Sequence, residues 1–364
     1  MKAARLNEID LLRFLAALSV VFFHYAFRGY TADSMTIMPY PLLAGVAKYG
    51  YLGVQLFFMI SGFVILMTAA AGNLQSFAVS RIVRLYPAFW ACCTITFLAI
   101  LLIGEPRYAA TYGQYLVNMT MLSGFVGVPD IDGVYWSLFV EIRFYALVAL
   151  VLLAGRIHQA QSLILAWLVA SIALEAYPIG KLRFLLIVDY SAFFIAGATY
   201  YLIWSKGLSP TRLGMICGAL GLAIGQTIKD VSATALQFNT PMNHAVAIVL
   251  VAAFFVAFML IALGRTGPVG RANWVLVGAL TYPLYLLHQN IGFMMFNAAY
   301  PAVSAHLLFW GAIGSVLLLA YAVHALVERR FSSWMKRALN GGLDRARLLA
   351  SRALTSATGR RPRT

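Results

Sequence analysis

Charge is scarce in this sequence: 11% of its residues are Asp, Glu, Lys or Arg, against about 25% in a soluble domain. Acidic side chains are scarcer still, 12 in 364 residues. So little polar surface cannot coat a water-soluble globule, which argues against a soluble all-helical protein with a large core. Cysteine is rare too. Cys92, Cys93 and Cys217 all lie in apolar runs, none at metal-ligand spacing, and read as small core residues. No resident metal or cofactor is expected. Internal repeats, a second soluble domain and low-complexity linkers are missing. The first apolar run contains Asp10 and Arg13 and is followed by no small-residue cleavage site, so it does not read as a cleaved signal.

What is abundant is apolar sequence, 62% of the chain, in runs of roughly 20 residues, enough to cross a bilayer core about 30 Å thick. The expected fold is therefore an all-α polytopic transmembrane helical bundle. About ten spans are expected, near 9–27, 49–70, 85–103, 134–154, 161–177, 184–204, 212–228, 244–263, 274–296 and 305–327. An eleventh stretch, 112–127, holds Asn118, Thr120, Ser123 and three glycines and reads as re-entrant or interfacial.

The net charge is +15, and ten of the 27 basic residues follow Val327. A basic tail after a membrane span suits the anionic cytoplasmic surface better than nucleic acid. The chain divides into a membrane domain, 1–331, and a basic cytoplasmic tail, 332–364. Phe331, Trp334, Met335 and Leu339 suit the tail's start to the membrane surface. Lys2 and Arg5 place the N-terminus on the cytoplasmic side as well, which requires an even number of spans. Lys181 and Arg183 do not fit this charge pattern.

An ionisable group at mid-membrane costs at least about 2.5–3.5 kcal/mol, so each one is a functional candidate. Span 1 carries Asp10, Arg13 and His24. Asp10 and Arg13 are one turn apart and can pair. Arg13 and His24 share a helix face and are separated by a rise of about 16 Å. Span 4 carries Ser137, Glu141 and Tyr145 at i, i+4, i+8, one polar stripe, with Arg143 pointing nearly the opposite way. Span 9 carries Thr281, Tyr285 and His288 on one face. His288 lies at a depth similar to His24 if both helices run in the same direction. Histidine, with a pKa near neutrality, is the side chain best suited to general-base work. Arg81 and Arg84 precede Leu85-Tyr86-Pro87. They satisfy the positive-inside pattern, and arginine forks also bind phosphate bidentately. The small residues of Gly50–Phe63 allow close helix packing.

Together these motifs resemble the acyltransferase-3 family, from Leu6 to about Phe331. The resemblance rests on Asp10-x-x-Arg13 with His24, Gly53-Val54 through Ser61-Gly62-Phe63, Arg81-x-x-Arg84, Trp136-Ser137-Leu138 with Glu141 and Phe144-Tyr145, Tyr285-Leu286-Leu287-His288, and Glu328-Arg329. Arg330 stands where the family commonly has proline. The chain is most similar to the stand-alone members, of the exopolysaccharide and O-antigen O-acetyltransferase type.

That resemblance implies an inner-membrane enzyme that moves an acyl group, usually acetyl, from cytoplasmic acyl-CoA as co-substrate to a hydroxyl of a surface or lipid-linked carbohydrate. Arg13, Arg81 and Arg84 would hold the CoA phosphates. His24 would act as general base or briefly carry the acyl group. Glu141 would orient or charge-tune a histidine, and His288 or Tyr285 would stabilise the oxyanion, with Asp10, Ser137 and Tyr145 in support. The rival expectation is a transporter or flippase for a lipid-linked sugar, since intramembrane His, Glu and Arg mark such paths too. No inverted repeat or ATP-binding motif favours it. A non-catalytic scaffold would not need His24.

Overall fold

The computed structural model describes the backbone of residues 6–358 and the side chains of 6–345 and 349. Lys2 and Arg5, on which the placement of the N-terminus leans, lie outside the described residues, as do 359–364 of the tail. The described residues form helices joined by turns and loops, with no strand among them.

Ten long helices make the bundle. They are α1 (Asn7–Phe23), α2 (Gly53–Ala70), α3 (Leu74–Ile103), α4 (Trp136–Leu153), α5 (Ala160–Ala176), α6 (Val188–Lys206), α7 (Pro210–Gln237), α8 (His244–Ala262), α9 (Val275–Ala299) and α10 (Ala305–Val323). Among the described residues, nine helices are long and apolar enough to cross a bilayer. These match nine of the ten expected spans. The tenth, α9, has the length, 25 residues, but is not one of the nine. Thr281, Tyr285, His288, Gln289 and Asn290 dilute its apolar content. The helix tolerates this because it is enclosed: it packs on α1, α3 and α10, and its residues from Tyr285 to Asn290 are all buried. A helix walled by protein needs no lipid-facing surface.

Several boundaries differ from expectation for local reasons. α3 starts at Leu74, eleven residues before the expected span, because Asn73 and Ser76 close a reciprocal capping box. Pro87 sits inside the helix without ending it, so Arg81 and Arg84 lie on the helix. α7 begins under a Ser209 cap with Pro210 in the first turn and runs on to Gln237. Residues 112–127 break into two short helices, Tyr112–Asn118 and Ser123–Val126, neither long enough to cross. α10 passes through a π-turn, His324–Glu328, directly into a further helix, α11 (Arg329–Thr358), so no loop sets the basic tail apart. Arg183 is neutralised where it stands, in contact with Glu175 and Asp189. Cys92 and Cys93 are buried as expected, but Cys217 is exposed on α7.

The small residues of the Gly50–Phe63 stretch work as close-packing positions. A Cβ on Gly62 would strike the Phe194 carbonyl oxygen, and one on Gly197 would strike that of Met59. α2 and α6 thus meet backbone to backbone. Replacing Gly197 with leucine must push these helices apart, a cost of about 3 kcal/mol, the upper end of overpacking penalties. A Gly214→Leu control, with nothing within 4 Å of the added atom, is expected to melt like the parent. Equal thermal melts for the two variants would refute the close contact.

Candidate active site

The site is organised by α1. After Phe23 its hydrogen bonding widens into one π-turn, His24–Arg28; such turns recur at functional sites. The turn carries His24, 4% exposed, toward α9, where Nδ1 lies 2.9 Å from His288 Nε2 and 3.0 Å from the Val20 carbonyl oxygen. The expected similarity of depth is therefore a direct contact. His288 is fully buried, and its Nδ1 faces the carbonyl oxygens of Tyr285 and Leu284 at 2.9 and 3.2 Å. Tyr25 Oη donates to the His288 carbonyl at 2.7 Å.

These contacts assign the protons. Carbonyl oxygens only accept, so His288 Nδ1 carries hydrogen and, in the neutral ring, Nε2 carries a lone pair. His24 Nδ1, facing that lone pair and the Val20 oxygen, carries hydrogen in turn. The lone pair of neutral His24 is then on Nε2. His24 lines a chamber of about 270 Å³ shared with Arg28, Gln55, Val54, Trp136, Tyr190, Asp230, Gln237 and Tyr285.

A second chamber adjoins it. Its lining includes Arg13, Arg81, Arg84, Ser61, Ser137, Glu141, Tyr145, Thr281 and Tyr285, together with Val54. Val54 and Tyr285 line both chambers. At the junction, Tyr285 Oη lies 2.7 Å from Ser137 Oγ and donates to the Val134 carbonyl at 3.3 Å. At its other end the arginine chamber adjoins a groove that also holds Asp10, His324 and Arg329; Arg13 and Arg84 line both spaces. Arginine groove, arginine chamber and histidine chamber thus adjoin in order along the bundle.

Arg13 pairs with Asp10 at 3.3 Å, one turn away. Arg84 is loosely held, 4.0 Å from Glu328, which also accepts from His324 at 2.7 Å. Arg81 lies over the Tyr145 ring and donates to Ser80 Oγ at 2.9 Å, while its Nε is buried without a hydrogen-bond partner. Glu141 departs from expectation. Its Oε1 accepts from Ser61 Oγ at 2.6 Å and from Tyr145 Oη at 2.5 Å, and it lines the arginine chamber rather than bonding a histidine. The cause is helix geometry: Ser137, one turn away on the same face of α4, is the residue level with Tyr285, and His288 lies most of a turn further along α9. Of the two residues expected at the oxyanion, Tyr285 Oη lies against Ser137 Oγ and His288 Nε2 against His24 Nδ1. Arg143 faces away, stacked on Phe184 at 3.8 Å. No group of three or more potential metal ligands occurs among the described residues.

Two positions escaped the sequence. Ser61 reads there as a packing residue, yet it holds Glu141. Asp132 reads as a loop charge, yet its carboxylate is fully buried, accepting from the Val134 and Asn290 backbone N–H groups at 3.2 and 3.1 Å. It fastens the loop before α4 onto α9 two residues beyond His288. Burial pushes its carboxyl up to about 7, the two N–H groups opposing the rise. A carboxyl raised in the folded state binds a proton that the unfolded chain has already lost between about pH 4 and 7. Stability should therefore fall as pH rises through that window, by at most about 1.4 kcal/mol per unit, then level off. Melts of Asp132→Asn from pH 4.5 to 8 should lose that part of the slope; a slope equal to the parent's would refute it.

No solved structure matches the chain. Nodulation protein 10 of Rhizobium leguminosarum bv. viciae is 27% identical over 320 residues, covering 78% of this chain and 82% of that protein. Residues 6–325 match the acyltransferase-3 family, described as an acyltransferase domain, a span that takes in α1 through α10 and every chamber residue above. The chain is a multi-pass membrane protein and belongs to the acyltransferase-3 family of membrane acyltransferases.

Proposed function

We propose that this acyltransferase moves an acetyl group from cytoplasmic acetyl-CoA to a hydroxyl of a surface or lipid-linked carbohydrate, with His24 as general base. The observation that carries the reading is the adjoining of the two chambers at Tyr285: three arginines line one side, and an imidazole with a free lone pair lines the other. Arg13, Arg81 and Arg84 would hold the CoA phosphates, and the buried, partnerless Arg81 Nε is a donor in want of an acceptor. The rise of about 16 Å from Arg13 to His24 along α1 suits an extended pantetheine arm.

In the reaction, His24 Nε2 takes the proton of the acceptor hydroxyl as its oxygen attacks the thioester carbonyl. The C–S bond breaks, the acyl group passes to the sugar oxygen, and the imidazolium returns its proton to the departing CoA thiolate. His24 Nδ1–H donates to His288 Nε2 throughout, spreading the transient charge over two rings. That is the logic of a base oriented by a third group, with a neutral imidazole as the orienter. Ser137 and Tyr285, the hydroxyls at the junction, stand where the thioester carbonyl would arrive and are suited to donate to its oxyanion. Glu141, with Ser61 and Tyr145, balances the charge of the arginine chamber.

In this reading both termini face the cytoplasm across the inner membrane, the arginine groove opens to acetyl-CoA, and the histidine chamber receives the glycan. The test uses the purified chain in nanodiscs with carbon-14 acetyl-CoA and surface glycan from the producing cell. Label is expected on the glycan, as an alkali-labile ester. Glycan that stays unlabelled while the protein is folded would end the reading.

A further inference from the structure

The histidine chamber has a chemistry of its own beyond His24. Gln55, 5% exposed, holds its Oε1 buried without a hydrogen-bond partner. The side chain lines the chamber, and its amide faces the Asp230 carboxylate of α7. Gln237, nearly two helical turns beyond Asp230 on α7, adds another amide to the same lining. Opposite in character are Trp136 and Tyr190, whose ring centroids lie 5.6 Å apart at 38°. The chamber thus joins an aromatic wall to a cluster rich in hydrogen-bond acceptors.

We infer that Gln55, Asp230 and Gln237, with the Trp136–Tyr190 wall, form the acceptor subsite, and that the ligand it takes is a neutral carbohydrate ring. The Gln55 oxygen and the Asp230 carboxylate call for O–H donors, several on one ligand. A hydrocarbon chain would leave the buried Gln55 oxygen unpaired, at about 1–3 kcal/mol. An anionic ligand would meet the Asp230 charge, while the nearest cation, Arg28, is already tied to Asp33 at 2.8 Å. A pyranose presents hydroxyls at its rim and C–H bonds on its face, which fits acceptors on one side and aromatic rings on the other. The inference rests on the reading that His24 receives the acceptor hydroxyl: a sugar held by Gln55 and Asp230 occupies the same chamber as the His24 ring.

The test separates the two. The full chain in nanodiscs is equilibrated with a mixture of tritiated methyl glycosides of glucose, galactose, mannose and rhamnose, without acyl donor. Transfer from acetyl-CoA to the same glycosides is measured in parallel. Gln55→Leu and Asp230→Asn are each expected to weaken glycoside binding about tenfold. The glycoside KM should rise by a similar factor, with little change in the KM for acetyl-CoA. Gln237→Leu provides a third variant should Asp230→Asn fail to fold. Glycoside binding that depends on Gln55, without acyl transfer, keeps the subsite and ends the proposed function. Acyl transfer with glycoside binding and KM untouched in the folded variants keeps the function and overturns the subsite. No glycoside binding by the parent overturns the subsite as well.

Discussion

Replacing His24 with asparagine is expected to lower acyl transfer by about 10²–10⁴-fold, the usual worth of a positioned acid–base group, while the chain folds and binds acetyl-CoA as before. Asparagine is the informative substitution because its amide N–H can still donate to His288 Nε2, as His24 Nδ1 does over 2.9 Å. The buried contact between α1 and α9 survives, and only the ring's second nitrogen is removed. His24→Ala removes both, and leaves His288 Nε2 buried with an unanswered lone pair, so it should lose stability as well as rate. If Nε2 is the working atom, the two variants have nearly the same residual rate and different melting temperatures. Single-turnover measurements with carbon-14 acetyl-CoA bound at saturation check this without interference from donor affinity. Undiminished transfer by folded His24→Asn would remove the base from the mechanism, and a rate loss in His24→Ala alone would make His24 a structural residue.

What could be read from the sequence is whatever a single helix fixes by itself. The one-turn spacing of Asp10 and Arg13 becomes a 3.3 Å pair. The i, i+4, i+8 stripe of Ser137, Glu141 and Tyr145 lines one chamber, as periodicity dictates. The comparison of depth along two helices places His24 and His288 together, because rise per residue is the same in both. Contacts set by which helix lies beside which were not legible. Nothing local says that Ser61 of α2 meets Glu141 of α4, or that Gln55 of α2 faces Asp230 of α7. Partners chosen by tertiary packing decide both. Asp132 was hidden for a related reason. The segment from 104 to 133 is an outer loop by its charges, yet Tyr108 donates to Met35 and Arg107 to Ser34. Asp132 itself is buried against α9. The early start of α3 was missed because the span was counted from its apolar run, whereas the capping box at Asn73 starts the helix eleven residues before it. α9 shows the limit of a purely apolar criterion: its polar run from Thr281 to Asn290 is enclosed by α1, α3 and α10.

Removing Arg81 and Arg84 together is expected to raise the KM for acetyl-CoA by about 100-fold or more, with a smaller effect on the rate at saturating donor. Each charge-assisted hydrogen bond is worth about 1.5–3 kcal/mol, or roughly ten- to hundredfold in affinity. The two residues are not equivalent. Arg81 is fixed from two directions, by Ser80 and by the Tyr145 ring, and its Nε is buried without a partner. Arg84 is partly exposed and its only ion pair among the described residues, with Glu328, is 4.0 Å long, so it is free to close on a phosphate. Arg81→Lys should therefore lose most of its effect on donor binding, because an ammonium cannot reproduce the fixed planar fork. Arg84→Lys should keep much of it, because a mobile point charge serves there. Salt sharpens the comparison: the contribution of exposed Arg84 should shrink between 50 and 500 mM NaCl, and that of half-buried Arg81 should shrink less. Should both lysine variants bind acetyl-CoA like the parent, or should the double alanine variant change only the glycan KM, the phosphate would have to bind elsewhere. The groove at Arg13 and Arg329, which shares Arg84, would be the next place to look.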